Sequence, residues 1–135
     1  MIDEEARAYL DETHIATFVS LNEDGSPHSA PVWYECRGDM LYFIMRPSSI
    51  KVRNIQRDSR VAVSIANDNS PAKYVLVEGH ARVTEHDANL VTYEMCQRYR
   101  GEKRGPQSAK EMLGESGMVV VVVEPAKVMS WMGEG

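Results

Sequence analysis

Cysteine is scarce in this 135-residue chain: Cys36 and Cys96 stand far apart and outside any Cys-x-x-Cys pattern. Two ordinary thiols in a reduced, cytoplasmic setting fit that spacing better than a disulfide framework. Long apolar runs are missing as well. The longest β-branched run, Val119 to Val123, is only strand-length, whereas a helix crossing a bilayer needs roughly 20 apolar residues. The opening Met1-Ile2-Asp3-Glu4-Glu5 is acidic and has neither the basic nor the apolar region of a signal peptide, so no membrane partner is expected. The net charge of −5 argues against nucleic acid as a partner, because that binding calls for a broad basic surface. Several chemical signatures are also absent. There is no Gly-x-Gly-x-x-Gly fingerprint, no Gly-x-x-x-x-Gly-Lys phosphate loop and no Gly-x-Ser-x-Gly elbow. His14, His28, His80 and His86 lack ligand spacing, so no metal site is expected. Cys96 falls at a mid-helix core position, which does not suit a thiol nucleophile.

What is present begins with an ordinary globular composition, 43% hydrophobic and 26% charged. Without a repeat, a low-complexity tract or a linker, residues 1–135 read as a single domain. The unusual stretch is Arg46 to Arg60. It holds five of the chain's 15 basic residues and one acid, a balance of +4, against ten basic and nineteen acidic residues (−9) elsewhere. Pro47 stops the preceding apolar run, Ser48 or Ser49 can serve as N-cap, and a helix-compatible segment follows. Lys51 and Arg53 then fall near the first turn, where the macrodipole disfavours cations. An anion at that corner would resolve the conflict, since backbone N–H groups, serine hydroxyls and Lys51 would converge on one phosphate. A solvated basic helix face accounts for the same residues.

Taken in order, Asp3 to Glu12 reads as a short amphipathic helix and His14 to Leu21 as a first strand. Asn22-Glu23-Asp24-Gly25 is a hairpin turn. Ser26 to Cys36 is the returning strand, Arg37-Gly38-Asp39 a second turn and Met40 to Met45 a third strand, together predicting a three-stranded antiparallel meander. Beyond the basic helix, Arg60 to Ala66 is a fourth strand and Tyr74 to Thr84 a fifth, interrupted at Gly79, where a bulge or bend is expected. Asp87 caps a helix to about Arg100, Gly101 to Pro106 breaks it, and Ser108 to Leu113 adds a further turn or two. Met118 to Glu124 is a buried strand, Pro125 punctuates it, and Lys127 to Trp131 forms a last short one. Such a strand count with few helices predicts a small barrel.

An anion site without an evident acid–base or nucleophile set is still compatible with an enzyme whose bound cofactor carries the chemistry. Pro31-Val32-Trp33-Tyr34 and Leu41-Tyr42-Phe43-Ile44-Met45 offer walls and strand amides for a flat ring. Two plain core strands read the same way.

A set of segments in order gives a nearly full-length resemblance: His14-Ile15-Ala16-Thr17, Asp24-Gly25-Ser26-Pro27-His28, Pro31-Val32-Trp33-Tyr34, Ser48 to Val61, Tyr74 to Ala81, Gln97-Arg98-Tyr99-Arg100-Gly101 and Pro125 to Trp131. Together they resemble the pyridoxamine 5′-phosphate oxidase-like, FMN-binding split-barrel family, and most of all its branch of oxidoreductases using the deazaflavin F420. The resemblance implies a mainly β fold with peripheral helices, a six- to seven-stranded antiparallel split β-barrel. It also implies a homodimer with two cofactor sites in grooves between subunits. On that pattern Lys51 is the phosphate-binding lysine, with Ser48 and Ser49 on the loop before it. Ser29, Ala30, Pro31 and Val32, and Ile44, Met45 and Arg46, line the ring and ribityl chain, while Lys73 and Tyr74 reach the neighbouring subunit's site. Two departures stand out. Ile50 replaces an arginine frequent in the flavin oxidases, and the chain is shorter than pyridoxamine phosphate oxidases, without their substrate-binding C-terminal extension. The implied activity is hydride transfer between bound F420 or FMN, with a lean to F420, and a small conjugated substrate such as a quinone, enone or tetrapyrrole. His28 and Tyr74 are the candidate proton donors. The alternative is a non-catalytic protein that binds and stores flavin, deazaflavin or haem.

Overall fold

A computed structural model of the chain describes residues 1–69 and 71–133. Its elements are α1 (Glu4–Asp11), β1 (Ala16–Leu21), β2 (Pro27–Val32), β3 (Glu35–Arg37), β4 (Met40–Met45), α2 (Ile50–Arg57), β5 (Arg60–Ala66), β6 (Tyr74–Thr84), α3 (Ala88–Leu113) and β7 (Val119–Trp131). The seven strands form one antiparallel sheet in the order β2-β1-β5-β6-β7-β4-β3.

The predicted meander does not form. The strand expected from Ser26 to Cys36 stops at Val32 and resumes at Glu35, and its two parts lie on opposite edges of the sheet. The cause is local. Tyr34 gives its N–H to the Tyr99 hydroxyl (3.0 Å), and its carbonyl accepts from Arg98 Nε (3.1 Å). With both backbone groups claimed by α3 side chains, Tyr34 has none left for a strand ladder. This crossing also forces the sheet to curl. Seven flat strands would span roughly 29 Å, yet two intervening residues hold Val32 and Glu35 within about 11 Å of each other. The result is a half-closed barrel, the mainly β split-barrel architecture expected.

Inside it, alternate residues from every long strand converge: Phe18, Leu41, Phe43, Val63, Ile65, Val75, Val77, Val121 and Val123, with Tyr9 and Leu10 of α1 plugging one end. Phe18 and Phe43 meet edge to face at 5.1 Å. The unbroken valine run follows from burial on both sides of β7. Val121 and Val123 enter the barrel, while Val120 and Val122 pack with Ile44 beneath Val91 and Met95 of α3.

The helices differ from expectation in detail. Asp87 holds the N-cap position of α3 at φ 55°, but its carboxylate accepts no helix N–H and lies 3.2 Å from His86 Nε2 instead. The expected break is present: Gly101, at φ 86° and ψ 172°, is non-helical and divides α3 into two helices that meet at a kink. No described helix is long and apolar enough to cross a membrane.

The two strands expected near the C-terminus are one, β7, which passes Pro125 through a register shift opposite Gly79: Glu78 faces Lys127 while Gly79 faces Pro125. A proline is tolerated there because the ladder is already interrupted. A Cβ on Gly79 would lie 2.2 Å from the Glu124 carbonyl oxygen. Gly79→Ala should therefore destabilise the protein by about 2 kcal/mol, read as a lower urea midpoint. An unchanged midpoint would show that the two strands separate there without cost.

Candidate functional site

The basic segment places its cations unequally. Ser49, rather than Ser48, is the N-cap of α2, its hydroxyl accepting from Val52 N–H at 3.3 Å. Val52 and Ile55 anchor the helix on the barrel core. Buried Asn54 gives its amide to Ser20 Oγ (3.1 Å) and Asn22 Oδ1 (3.0 Å). Arg57 donates to the Leu21 carbonyl at 2.7 Å, where it also complements the helix C-terminus. Arg60 pairs with Asp58 at 2.7 Å, and its hydrogen bonds hold the half-buried Asp58 carboxyl down at about 2. Arg46 donates from Nη1 to the Met112 carbonyl. Among the described residues, Lys51 and Arg53 have no carboxylate within 4.0 Å. Arg57 and Arg60 thus serve local structure, and Lys51 faces a cavity.

That cavity, of about 320 Å³, is lined by Pro31, Val32 and Trp33 at the end of β2, Ile44, Met45 and Arg46 at the end of β4, Lys51 of α2, and Met112 and Met118. Its described lining holds two cations and no acid. Strand ends gather here because β2 and β4 are brought together by the curl of the sheet. Trp33 stands on a supported base, stacked on Tyr99 with centroids 4.7 Å apart and 5° between planes. Tyr99 is in turn fixed by donating its hydroxyl to the His14 carbonyl at 2.6 Å. Arg98 closes the assembly by donating to the carbonyls of Leu10, Asp11 and Glu12 at the end of α1.

Six of the residues expected to touch a cofactor therefore meet: Pro31, Val32, Ile44, Met45, Arg46 and Lys51. The others lie outside this cavity. Ser48 is exposed on the loop before α2. Ser29 is exposed on β2, and Ala30 stands opposite Phe18. Lys73 and Tyr74 lie at the start of β6, Tyr74 paired with Trp131. His28 stands opposite Ser20, with Nδ1 buried and unpartnered among the described residues. Met112 and Met118 escaped the sequence reading, because only the kinked path of α3 carries them to β4. The thiols are poor nucleophiles: burial pushes both Cys36 and Cys96 up.

The sequence profile of the family described as pyridoxamine 5′-phosphate oxidase matches residues 2–132. No curated protein matches the chain in sequence. Solved structures do. An F420 reductase superposes with a TM-score of 0.77 at 22% identity, covering 91% of this chain and 94% of its own. A conserved hypothetical protein from Mycobacterium tuberculosis gives 0.82 at 23% identity, over 97% and 84%. A heme binding protein from Mycobacterium smegmatis gives 0.71 at 23%, over 98% of this chain and 54% of that longer one. Likeness at such identities carries the fold.

The tyrosines that support Trp33 make the site alkali-sensitive. Burial is the main cause raising Tyr34, Tyr99 and Tyr9 above the ordinary tyrosine value. A group raised in the folded state stabilises it below its unfolded value and loses that contribution as pH climbs through the folded one. Folding stability should therefore be flat near neutrality and fall as pH rises above about 10. Tyr34→Phe should flatten that decline in pH-dependent urea melts. An unaltered alkaline slope in the variant would remove Tyr34 from the effect.

Proposed function

Since the chain belongs to the pyridoxamine 5′-phosphate oxidase family, we propose that it is an oxidoreductase transferring hydride between bound F420 or FMN and a small conjugated substrate such as a quinone, enone or tetrapyrrole. The observation that carries this reading is Lys51, a cation in the first turn of α2 facing an acid-free cavity. A phosphate would offset its repulsion from the helix dipole and take up N–H groups at the helix start. Ile50 adds no cation, Arg53 of the same turn lies outside the cavity lining, and Arg46 is tied to the Met112 carbonyl, which leaves Lys51 as the uncommitted charge among the described lining residues. One charge suits the phosphodiester of F420 better than the phosphate dianion of FMN, which sets the lean to F420.

When bound, the ring would supply the hydride; Trp33, Met112 and Met118 would give it apolar walls, and β2 would give backbone groups. β2 pairs only with β1, so the amides and carbonyls on its other side are open to ring heteroatoms. A second reading, binding or storage of a flavin, deazaflavin or haem without turnover, draws on the cavity's lack of any acid–base pair and on the similarity to a heme binding protein. Turnover of a quinone, enone and tetrapyrrole panel with reduced cofactor favours the enzyme; binding without turnover favours the store.

The partner completing the site is a second copy of the chain. One cross-strand row, Pro31–Thr17–Ser64–Leu76–Met129, runs over the outer face of the sheet from the cavity wall. At its end Met129 is 47% exposed, and Trp131 beside it is 44% exposed. Covering this face would border the cavity and give Lys73 and Tyr74 their role at the neighbouring site. His28 and Tyr74 stay as candidate proton donors there.

Titration with FMN and F420 side by side should give a measurable affinity for one of them. Lys51→Ala should weaken it roughly 10- to 100-fold with the fold intact by circular dichroism; unchanged affinity removes Lys51 from the anchor. Sedimentation velocity should show a dimer, which Met129→Asp converts to folded monomer with weaker cofactor binding. A wild-type monomer binding cofactor at full affinity would count against the shared groove.

A further inference from the structure

The cofactor cavity continues past Met112 into a second hollow of about 260 Å³ lined by Trp33, Arg46, Arg100, Ser108, Glu111 and Met112, the two sharing Trp33, Arg46 and Met112. The kink in α3 builds it. Gly101 sits at φ 86°, ψ 172°, a conformation open essentially to glycine alone, and turns the chain directly after Arg100. Gly105 then passes so near the first half of the helix that a Cβ would lie 2.9 Å from the Gln97 Cα. This close return sets Ser108 and Glu111 across the hollow from Arg100.

Arg100 lies with its guanidinium over the Trp33 ring, 5.2 Å from the centroid. Among the described residues no carboxylate comes within 4.0 Å of it, and Glu111 accepts from Gln107 instead, at 3.1 Å. A guanidinium resting on an indole keeps its edge N–H donors for a planar anion. We propose that this hollow binds a carboxylate of the hydride acceptor, with Arg100 as the residue selecting for it and the Ser108 hydroxyl as a second donor. The inference rests on the redox reading above. Two guanidinium groups against Glu111 leave one net positive charge, which fits a monoanion, while Glu111 repels the second charge of a phosphate monoester. Held in this hollow, the carboxylate would orient the conjugated body of the acceptor in the adjoining cavity.

The test uses a matched pair, anthraquinone-2-carboxylate and anthraquinone-2-carboxamide, with the full chain and reduced cofactor. The wild type should show a KM roughly tenfold lower for the acid, an advantage that shrinks as salt is raised. Arg100→Met should bring the acid-to-amide ratio close to one with cofactor Kd unchanged. Equal KM values in the wild type, or a preference kept by Arg100→Met, overturn the proposal. The indole N–H resonance of Trp33, assigned with Trp33→Phe, reports on the hollow without cofactor. If neither cofactor binds but the acid alone shifts that resonance, the carboxylate subsite stands and the redox reading falls. If cofactor binds and both quinones turn over alike, the redox reading stands and the subsite falls.

Discussion

The architecture depends on how Tyr34 is held. Its N–H and carbonyl are bonded to Tyr99 and Arg98, and its hydroxyl donates to the carbonyls at the end of α1, 2.9 Å from Leu10 O. The same Arg98 satisfies those carbonyls and lies over the Tyr34 ring at 5.3 Å. A single buried residue thereby joins α1, α3 and both edges of the sheet. Because the crossing is two residues long, fixing Tyr34 also fixes Trp33, and with it the wall shared by the two hollows. Loss of any member of this network would strand buried carbonyls, the costly kind of failure for a polar cluster.

A second constraint opposes stability locally. Lys51 stands at the positive end of α2 without an acid partner, and Asn54 and Arg57 commit their hydrogen bonds to β1. The helix is seated by Val52 and Ile55 in the core and by these hydrogen bonds, none of which involves Lys51. Under the proposed function, an anion from outside the chain would offset the repulsion between Lys51 and the helix dipole. Arg46 differs, being tied to the Met112 carbonyl, so it holds the end of α3 against β4 as well as contributing charge.

Local chemistry made much of this legible beforehand. Pro47 and the serines marked the start of α2, Asp24-Gly25 the first hairpin, and Gly79 the irregularity opposite Pro125, because each is set by residues adjacent in sequence. The Lys51 corner was readable for the same reason. The crossing at Trp33-Tyr34 was not. Those two residues have the aromatic content of a strand, and only partners more than 60 positions away in α3 remove them from the ladder. Met112 and Met118 carry no local signal either, since a methionine near a helix end reads as filler until the Gly101 kink delivers it to β4. The split of α3 was placed correctly, but its consequence was invisible. A turn signal does not say which surface the returning segment will cover.

In the proposed assembly one chain builds only part of the site. β2 is an edge strand whose outward residues, Ser29 and Pro31, share a side with Val19 and Thr17, and these continue into the small residues Ala62 and Ser64. The outer sheet face and the rim of the cavity are therefore one surface. Small side chains at its centre let another surface approach closely, and Leu76, Met129 and Trp131 around them supply apolar area. A second copy covering that face, as proposed, would also close the cavity from water and strengthen the attraction between Lys51 and an anion by lowering the local dielectric. On that reading assembly and anion binding draw on the same contacts, and each should raise the apparent stability of the other by mass action.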